Sequence, residues 1–189
     1  MRILLVGAGG VGSAFCAIAA QRDFFEQIVV CDYDETRAKQ AADAVGDGRF
    51  SAAQVDATSA DVVADLVRRH QITHVMNAVD PRFVMPIFNG ALTGGADYLD
   101  MAMSLSQRHP EQPYRLTSVK LGDEQFAVED DWRASGRLAL VGIGVEPGLS
   151  DVFARYAVDH LFSDIDELGT RDGANLTVDG YDFAPSFSI

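Results

Sequence analysis

Short runs of branched apolar residues alternate with amphipathic stretches along the first 162 residues of the chain. Runs of this kind, bounded by glycine or acidic residues, are typical of strands buried on both faces of a parallel sheet. Amphipathic stretches between the runs predict helices, and a further helix is predicted over residues 149–162. The alternation favours an α/β fold with a doubly wound parallel sheet in the order 3-2-1-4-5-6. The six predicted strands cover residues 3–6, 27–32, 50–55, 72–78, 96–101 and 137–143.

The sequence GAGGVG lies between the first predicted strand and an alanine-rich helix. In a strand–loop–helix unit of this kind, the first glycine allows a tight turn, the second leaves room for a pyrophosphate, and the third lets the helix approach the strand. The start of the helix offers free N–H groups and the positive end of its dipole to the phosphates. The context therefore predicts a Rossmann-type dinucleotide site, with a glycine turn of another α/β protein or a methyl-donor site as alternatives. The predicted cofactor contacts in the loop are Gly7, Gly9, Gly10, Val11 and Gly12.

Asp32 ends the second predicted strand, twenty residues after Gly12. A carboxylate at this spacing binds the ribose hydroxyls of the adenosine and repels a 2′-phosphate, which slightly favours NAD over NADP. Arg37 follows on the next helix, where it can pair with a 2′-phosphate or lie over the adenine. A solvated side chain beside Asp34 or Glu35 is an equally good interpretation of Arg37. The predicted cofactor is therefore NAD or NADP.

Later strand ends supply further candidates for the cofactor site. Asp56, followed by Ala57, comes directly after the third predicted strand and can reach the adenine amine, although a turn-forming role is as good an interpretation. Asn77, Ala78 and Val79 fall at the carboxyl edge of the sheet, where the fourth predicted strand ends, across the switch point from the glycine loop. Groups at this edge line the second half of a bound dinucleotide.

Two acids are candidates for chemistry on the substrate. Asp100 ends the fifth predicted strand, and Glu146 lies in the turn after the sixth. A carboxylate near the nicotinamide can hold a substrate amine or move a proton, so both are predicted as catalytic. Each also has a structural interpretation, Asp100 as the cap of a strand end and Glu146 as a turn residue.

Charge and cysteine content narrow the class of protein. The formal net charge of −13 argues against nucleic-acid or membrane-surface partners, because anionic surfaces would be repelled. No apolar run approaches the length of a transmembrane helix. The two cysteines, Cys16 and Cys31, lie in predicted core elements, so we expect buried thiols in the cytoplasm without a disulfide or a metal site.

Residues 163–189 differ in character from the rest of the chain. They contain glycines in a polar stretch, a possible strand at residues 165–168, and an apolar end. We interpret them as the incomplete start of a second, α+β domain. The predicted domains are therefore a cofactor-binding domain at residues 1–162 and the start of a substrate and dimerisation domain at residues 163–189.

Several segments together resemble the saccharopine dehydrogenase and saccharopine reductase family. The glycine loop is generic, whereas the G-x-x-P-G turn followed by a helix with aromatic residues is more particular. The resemblance extends over nearly the whole chain, and also to carboxynorspermidine dehydrogenase and lysine 6-dehydrogenase. The segments are GAGGVG at 7–12, VDAT at 55–58, NAVDP at 77–81, DYLDMA at 97–102 and GVEPGLSDVFARYA at 144–157.

The resemblance implies an NAD(P)-dependent oxidoreductase acting on the CH–NH group of an amino acid or a polyamine-type amine, as in lysine metabolism. It also implies a homodimer formed through a second domain that supplies the opposite wall of the site. Because this sequence departs from the family pattern by ending at Ile189, we expect it to bind the dinucleotide without turning over an amino acid. The alternative function is a non-catalytic dinucleotide-binding or redox-sensing module.

Overall fold

The computed structural model describes residues 1–171 and shows one parallel sheet of six strands. The strand order is β3-β2-β1-β4-β5-β6, which confirms the predicted doubly wound topology. All neighbouring strands pair in parallel, and β1 lies in the centre between β2 and β4. The strands are β1 (Arg2–Val6), β2 (Gln27–Asp32), β3 (Phe50–Gln54), β4 (His74–Asn77), β5 (Asp97–Asp100) and β6 (Ala139–Leu140).

Helices cover the two faces of the sheet because successive strand residues point to opposite sides. Leu4 and Val6 of β1 belong to one core cluster, and Ile3 and Leu5 belong to the other. A short 3-10 turn (Pro81–Phe83) precedes the fourth helix. The helices are α1 (Gly10–Ala19), α2 (Glu35–Asp43), α3 (Ala60–Arg69), α4 (Val84–Gly94), α5 (Asp123–Phe126), α6 (Glu129–Ser135) and α7 (Leu149–His160).

Two helices pack unusually closely, because α4 presents glycines to valines of α3. A Cβ atom on Gly90 would lie 2.6 Å from the Cβ of Val63, and one on Gly94 would lie 2.7 Å from the Cβ of Val67. Both distances are shorter than van der Waals contact, so no other residue fits at either position without moving a helix. The contact fixes the separation of α3 and α4.

The sixth strand is shorter than predicted. After Leu140, the amide of Gly142 donates to the carboxylate of Asp100 instead of continuing the ladder with β5. Gly142 also has a positive φ of 69°, which turns the chain away from an extended path. Between β5 and β6 the chain forms two short helices, α5 and α6, instead of one long helix.

By its internal contacts the chain divides into two units, Met1–Asp151 and a second one from Val152. The first unit contains the whole sheet. In the second unit, residues 161–171 form no helix or strand, so the strand expected at 165–168 is absent. The rest of the expected second domain lies outside the described residues, and its boundary stays a prediction. Among residues 1–171 no helix combines the length and the apolar character needed to cross a membrane.

Candidate functional site

A cleft of about 410 Å³ opens at the carboxyl ends of β1, β2 and β4, where a doubly wound sheet binds its ligands. The cleft is lined by Phe83, Thr58 and most of the predicted cofactor residues. The structure thus brings together residues that are far apart in the sequence. Those predicted residues are Gly7, Gly9, Asp32, Arg37, Asp56, Ala57, Ala78 and Val79.

The glycines of the loop differ in what surrounds them. Gly7 has a φ of 106°, and a Cβ on it would lie 2.7 Å from the carbonyl oxygen of Ala78. A Cβ on Gly12 would lie 1.9 Å from the carbonyl oxygen of Gly7. By contrast, nothing lies within 4 Å of a Cβ on Gly9 or Gly10. Gly7 and Gly12 therefore serve the turn and the packing, while open space remains above Gly9 and Gly10.

That open space fits a pyrophosphate. No side chain caps the N-terminus of α1, whose capping residue is Gly9, so the N–H groups of its first turn remain available to an anion. Val11 is half exposed on the same turn. The residues present therefore fit the phosphates of a dinucleotide, through backbone groups rather than charged side chains.

Asp32 is buried, with 6% of its surface exposed, and it faces the glycine loop. One carboxylate oxygen accepts a hydrogen bond from the amide of Ala8 at 3.0 Å, and the other accepts one from the amide of Asp34 at 3.1 Å. The guanidinium of Arg37 lies 4.0 Å from the carboxylate and 5.8 Å from the centre of the Tyr33 ring. Asp32 therefore holds the loop in place, and half-exposed Arg37 offers a cation at the side of the cleft next to β2.

Asp56 forms the turn after β3. Its carboxylate accepts hydrogen bonds from the hydroxyl of Thr58 at 2.6 Å and from the amide of Thr58 at 2.9 Å. These bonds from Thr58 hold the pKa of Asp56 below its usual value, so the group stays ionised at neutral pH. The contacts support the turn-forming interpretation of Asp56, and its contact with the adenine stays a prediction.

Asn77 is buried beneath the other side of the cleft. Its side-chain oxygen accepts a hydrogen bond from the amide of Val79 at 3.1 Å, and its side-chain nitrogen donates to the hydroxyl of Tyr98 at 2.9 Å. Ala78 and Val79 line the cleft themselves. Asn77 therefore shapes the segment that follows β4, while its neighbours face the space for the cofactor.

The two predicted catalytic acids lie in different surroundings, and neither lines the cleft. Asp100 is 1% exposed, and its carboxylate accepts hydrogen bonds from Tyr98, Gln125, Met103 and Gly142. Four donors occupy its two oxygens, which favours the structural interpretation. Glu146 is exposed, and its catalytic role stays a prediction.

Tyr98 and Gln125 were missed by the sequence analysis. The signal for Tyr98 was its position two residues before Asp100, on the same face of β5. For Gln125 no local signal exists, because its partners are the amide of Ser104 and the carboxylate of Asp100, 21 and 25 residues away. Both residues belong to a buried polar group at the end of β5.

Comparisons with known proteins agree with this geometry. Residues 3–140 match the family model described as the saccharopine dehydrogenase NADP binding domain. Carboxyaminopropylagmatine dehydrogenase of Synechocystis is 28% identical over 99% of this chain and 45% of its own length. Carboxynorspermidine synthase of Vibrio alginolyticus is 28% identical over 99% of this chain and 46% of its own length. The chain thus spans about half the length of these relatives.

A solved structure gives the same fold. Apo saccharopine dehydrogenase (L-Glu forming) from Saccharomyces cerevisiae superposes with a TM-score of 0.63 at 18% identity, over 85% of this chain and 31% of that one. Its similarity supports the Rossmann architecture. Together with the family match and the open glycine loop, it establishes an NAD(P)-binding domain. The chain belongs to the saccharopine dehydrogenase NADP-binding domain family.

Proposed function

We propose that this chain is the cofactor-binding part of an NAD(P)-dependent oxidoreductase acting on the CH–NH group of an amino acid or a polyamine-type amine. The observation that carries the proposal is the family match over residues 3–140, which coincides with a cleft open above Gly9 and Gly10. The names of the two relatives, an agmatine-derivative dehydrogenase and a norspermidine-derivative synthase, support an amine substrate.

The residues of the cleft have separate tasks in this proposal. Backbone amides at the start of α1 bind the pyrophosphate, and Asp32 fixes the loop that carries them through its bond to Ala8. Ala78 and Val79 form the wall beside the second half of the dinucleotide. When bound, the nicotinamide accepts or supplies the hydride, and the protein orients it and excludes water.

The adenosine end supports a proposal about cofactor choice. Asp32 turns its carboxylate toward the amides of Ala8 and Asp34, and Arg37 lies beside it with half of its side chain exposed. A cation at this position offsets the repulsion between Asp32 and a 2′-phosphate. We therefore propose that the cleft accepts NADPH as well as NADH, with Arg37 as the phosphate contact.

Binding and turnover separate the candidate functions. NADPH, NADH and S-adenosylmethionine are titrated into this chain, and saccharopine, lysine and carboxynorspermidine are offered with NADP⁺ to a protein of the relatives' full length. We expect the chain to bind both dinucleotides and not the methyl donor, and the longer protein to oxidise an amine. Dinucleotide binding without oxidation of any amine would favour the redox-sensing module, and binding of the methyl donor alone would contradict the proposal.

A further inference from the structure

A line of hydrogen bonds runs from the wall of the cleft into the interior. The amide of Val79 donates to Asn77 at 3.1 Å, Asn77 donates to the hydroxyl of Tyr98 at 2.9 Å, and Tyr98 donates to Asp100 at 3.0 Å. Asn77, Tyr98 and Asp100 are each at most 2% exposed. No water is needed to complete the line, because every step joins two protein groups directly.

The direction of every bond in this line is fixed. Because Asn77 accepts from the amide of Val79, its side-chain oxygen and nitrogen cannot exchange places, and the nitrogen must face Tyr98. Burial, and the negative charge of Asp100, raise the pKa of Tyr98 far above its usual value. Its hydroxyl therefore stays protonated at neutral pH and donates to Asp100.

Asp100, at the inner end of the line, is held in place by further hydrogen bonds. Asp100 also accepts from the amide of Gly142 at 2.8 Å, from the side chain of Gln125 at 2.7 Å and from the amide of Met103 at 3.2 Å. The Tyr98 ring is held separately, by an edge-to-face contact with Phe88 at 5.0 Å between ring centres. Because contacts hold both the ring and the hydroxyl of Tyr98, the hydroxyl has one position and sets the position of Asn77.

The outer end of the line reaches the cofactor cleft. Asn77 holds the amide of Val79, whose side chain lines the cleft with Ala78. In a doubly wound fold, this side of the switch point faces the second half of the dinucleotide, away from the adenosine. We propose that Tyr98 is a positioning residue for the nicotinamide half of the bound cofactor, acting through Asn77 on the segment 78–79.

The inference rests only on binding of the dinucleotide. Its test compares the affinities of the protein for two ligands. Tyr98→Phe removes the hydroxyl and leaves the ring. We expect the affinity for NADPH to fall about tenfold, the scale of one lost hydrogen bond with an unpaired buried partner. Affinity for 2′,5′-ADP, which has only the adenosine half, is expected to change less than about twofold. The fluorescence of bound NADPH, which reports on the nicotinamide ring, is expected to shift as well.

Matched variants separate positioning from loss of stability. Phe25→Leu removes a buried ring from the other core cluster, where it packs on Phe50 and not on Tyr98, so it destabilises the core but preserves the ratio of the two affinities. Tyr114→Phe removes a hydroxyl from a side chain that is 94% exposed and should have no effect. Equal loss of both ligands in Tyr98→Phe, no loss of either, or the same change of ratio in Phe25→Leu would overturn the inference.

A second variant covers the case in which Tyr98→Phe does not fold. Asn77→Ser leaves a hydroxyl that can still accept from the amide of Val79, as serine does in a turn, but it is too short to reach Tyr98. The same selective loss of NADPH is expected. If a folded Asn77→Ser protein binds NADPH and 2′,5′-ADP as the wild type does, the line of hydrogen bonds has no role in cofactor binding.

Discussion

Asp32 accepts a hydrogen bond from the amide of Ala8, so the acid at the end of β2 holds the glycine loop that follows β1. The donor–acceptor distance is 3.0 Å, and the carboxylate is nearly inaccessible to solvent. A residue predicted to contact the ribose therefore also determines the shape of the pyrophosphate site. Changes at Asp32 must affect stability and cofactor choice together.

We expect Asp32→Ala to lower the free energy of unfolding by about 1.5–3 kcal/mol, because the buried amide of Ala8 loses a charged acceptor. It should also weaken NADH binding and raise the relative affinity for NADPH, since the carboxylate next to the ribose is gone. Denaturant unfolding and paired titrations measure the two effects. Asp32→Asn removes the charge and turns its nitrogen, a further donor, toward one of the two amides, so it should shift the cofactor ratio and also lower the free energy of unfolding. An unchanged ratio in both variants would move the ribose contact away from Asp32.

Arg37→Ala should weaken NADPH binding more than NADH binding. Its guanidinium is the cation beside Asp32 at the adenosine end of the cleft, where a 2′-phosphate adds negative charge. We expect about a tenfold greater loss for NADPH, the scale of one charge-assisted hydrogen bond. Lys39→Ala is the matched control, because Lys39 lies on the same helix and pairs with Glu35. Equal losses for the two dinucleotides in Arg37→Ala would contradict the proposed phosphate contact.

Gly9→Val should abolish NADPH binding and leave the fold intact. Open space surrounds a Cβ at this position, and the backbone φ of −74° suits any residue. The added branches would instead occupy the space proposed for the pyrophosphate. Gly48→Val is the control, since its surroundings are equally open and it lies outside the cleft. Calorimetric titration and thermal unfolding test the pair, and tight NADPH binding by folded Gly9→Val would exclude this loop as the site.

Asp100→Asn should destabilise the protein although it changes the size of the side chain very little. All four partners of Asp100 donate hydrogen bonds, and an asparagine nitrogen would face two of them as a further donor. We expect a loss of at least about 2 kcal/mol in the free energy of unfolding. Asp65→Asn, at an exposed ion pair, should cost much less. Full stability of Asp100→Asn, combined with lost turnover of the same variant in a protein of the relatives' full length, would instead support the catalytic role predicted from the sequence.

The two cysteines should be unreactive in the folded protein. Burial raises the pKa of Cys16 to about 11, and burial with the charge of Asp32 raises the pKa of Cys31 to about 12, from an ordinary 9.0. The folded chain therefore keeps protons that the unfolded chain releases. This contribution to stability is complete below about pH 9 and is lost as the pH rises toward 12.

A thiol reagent such as DTNB tests this expectation. At pH 8 both thiols should react only after denaturant is added. Denaturant midpoints measured from pH 8 to 11 should fall with rising pH. Rapid modification of either cysteine in the native protein would contradict the burial on which the prediction rests.

The sequence predicted the strand order because its signals are local. The apolar runs, the glycines from Gly7 to Gly12 and the acid at Asp32 each act within a few residues of their own position. The hydrogen bond between the Asp32 carboxylate and the glycine loop was not predictable in the same way, because its partner Ala8 lies 24 residues away. The role of Tyr98 depends on the register of β4 and β5, which places Asn77 opposite Asp100. Contacts of this kind arise only after the sheet has assembled.

The close packing of α3 on α4 lies next to the cleft, because both helices continue from segments that line it. The turn with Asp56 leads into α3, and the segment from Val79 to Phe83 leads into α4. Two segments that line the cleft therefore continue into two helices that pack against each other. A Cβ on Gly90 would also lie 2.7 Å from the carbonyl oxygen of Ala60, the first residue of α3, so this close contact lies near the walls of the cleft. We therefore expect a dinucleotide to enter an opening that is already formed, with little ordering of its walls on binding.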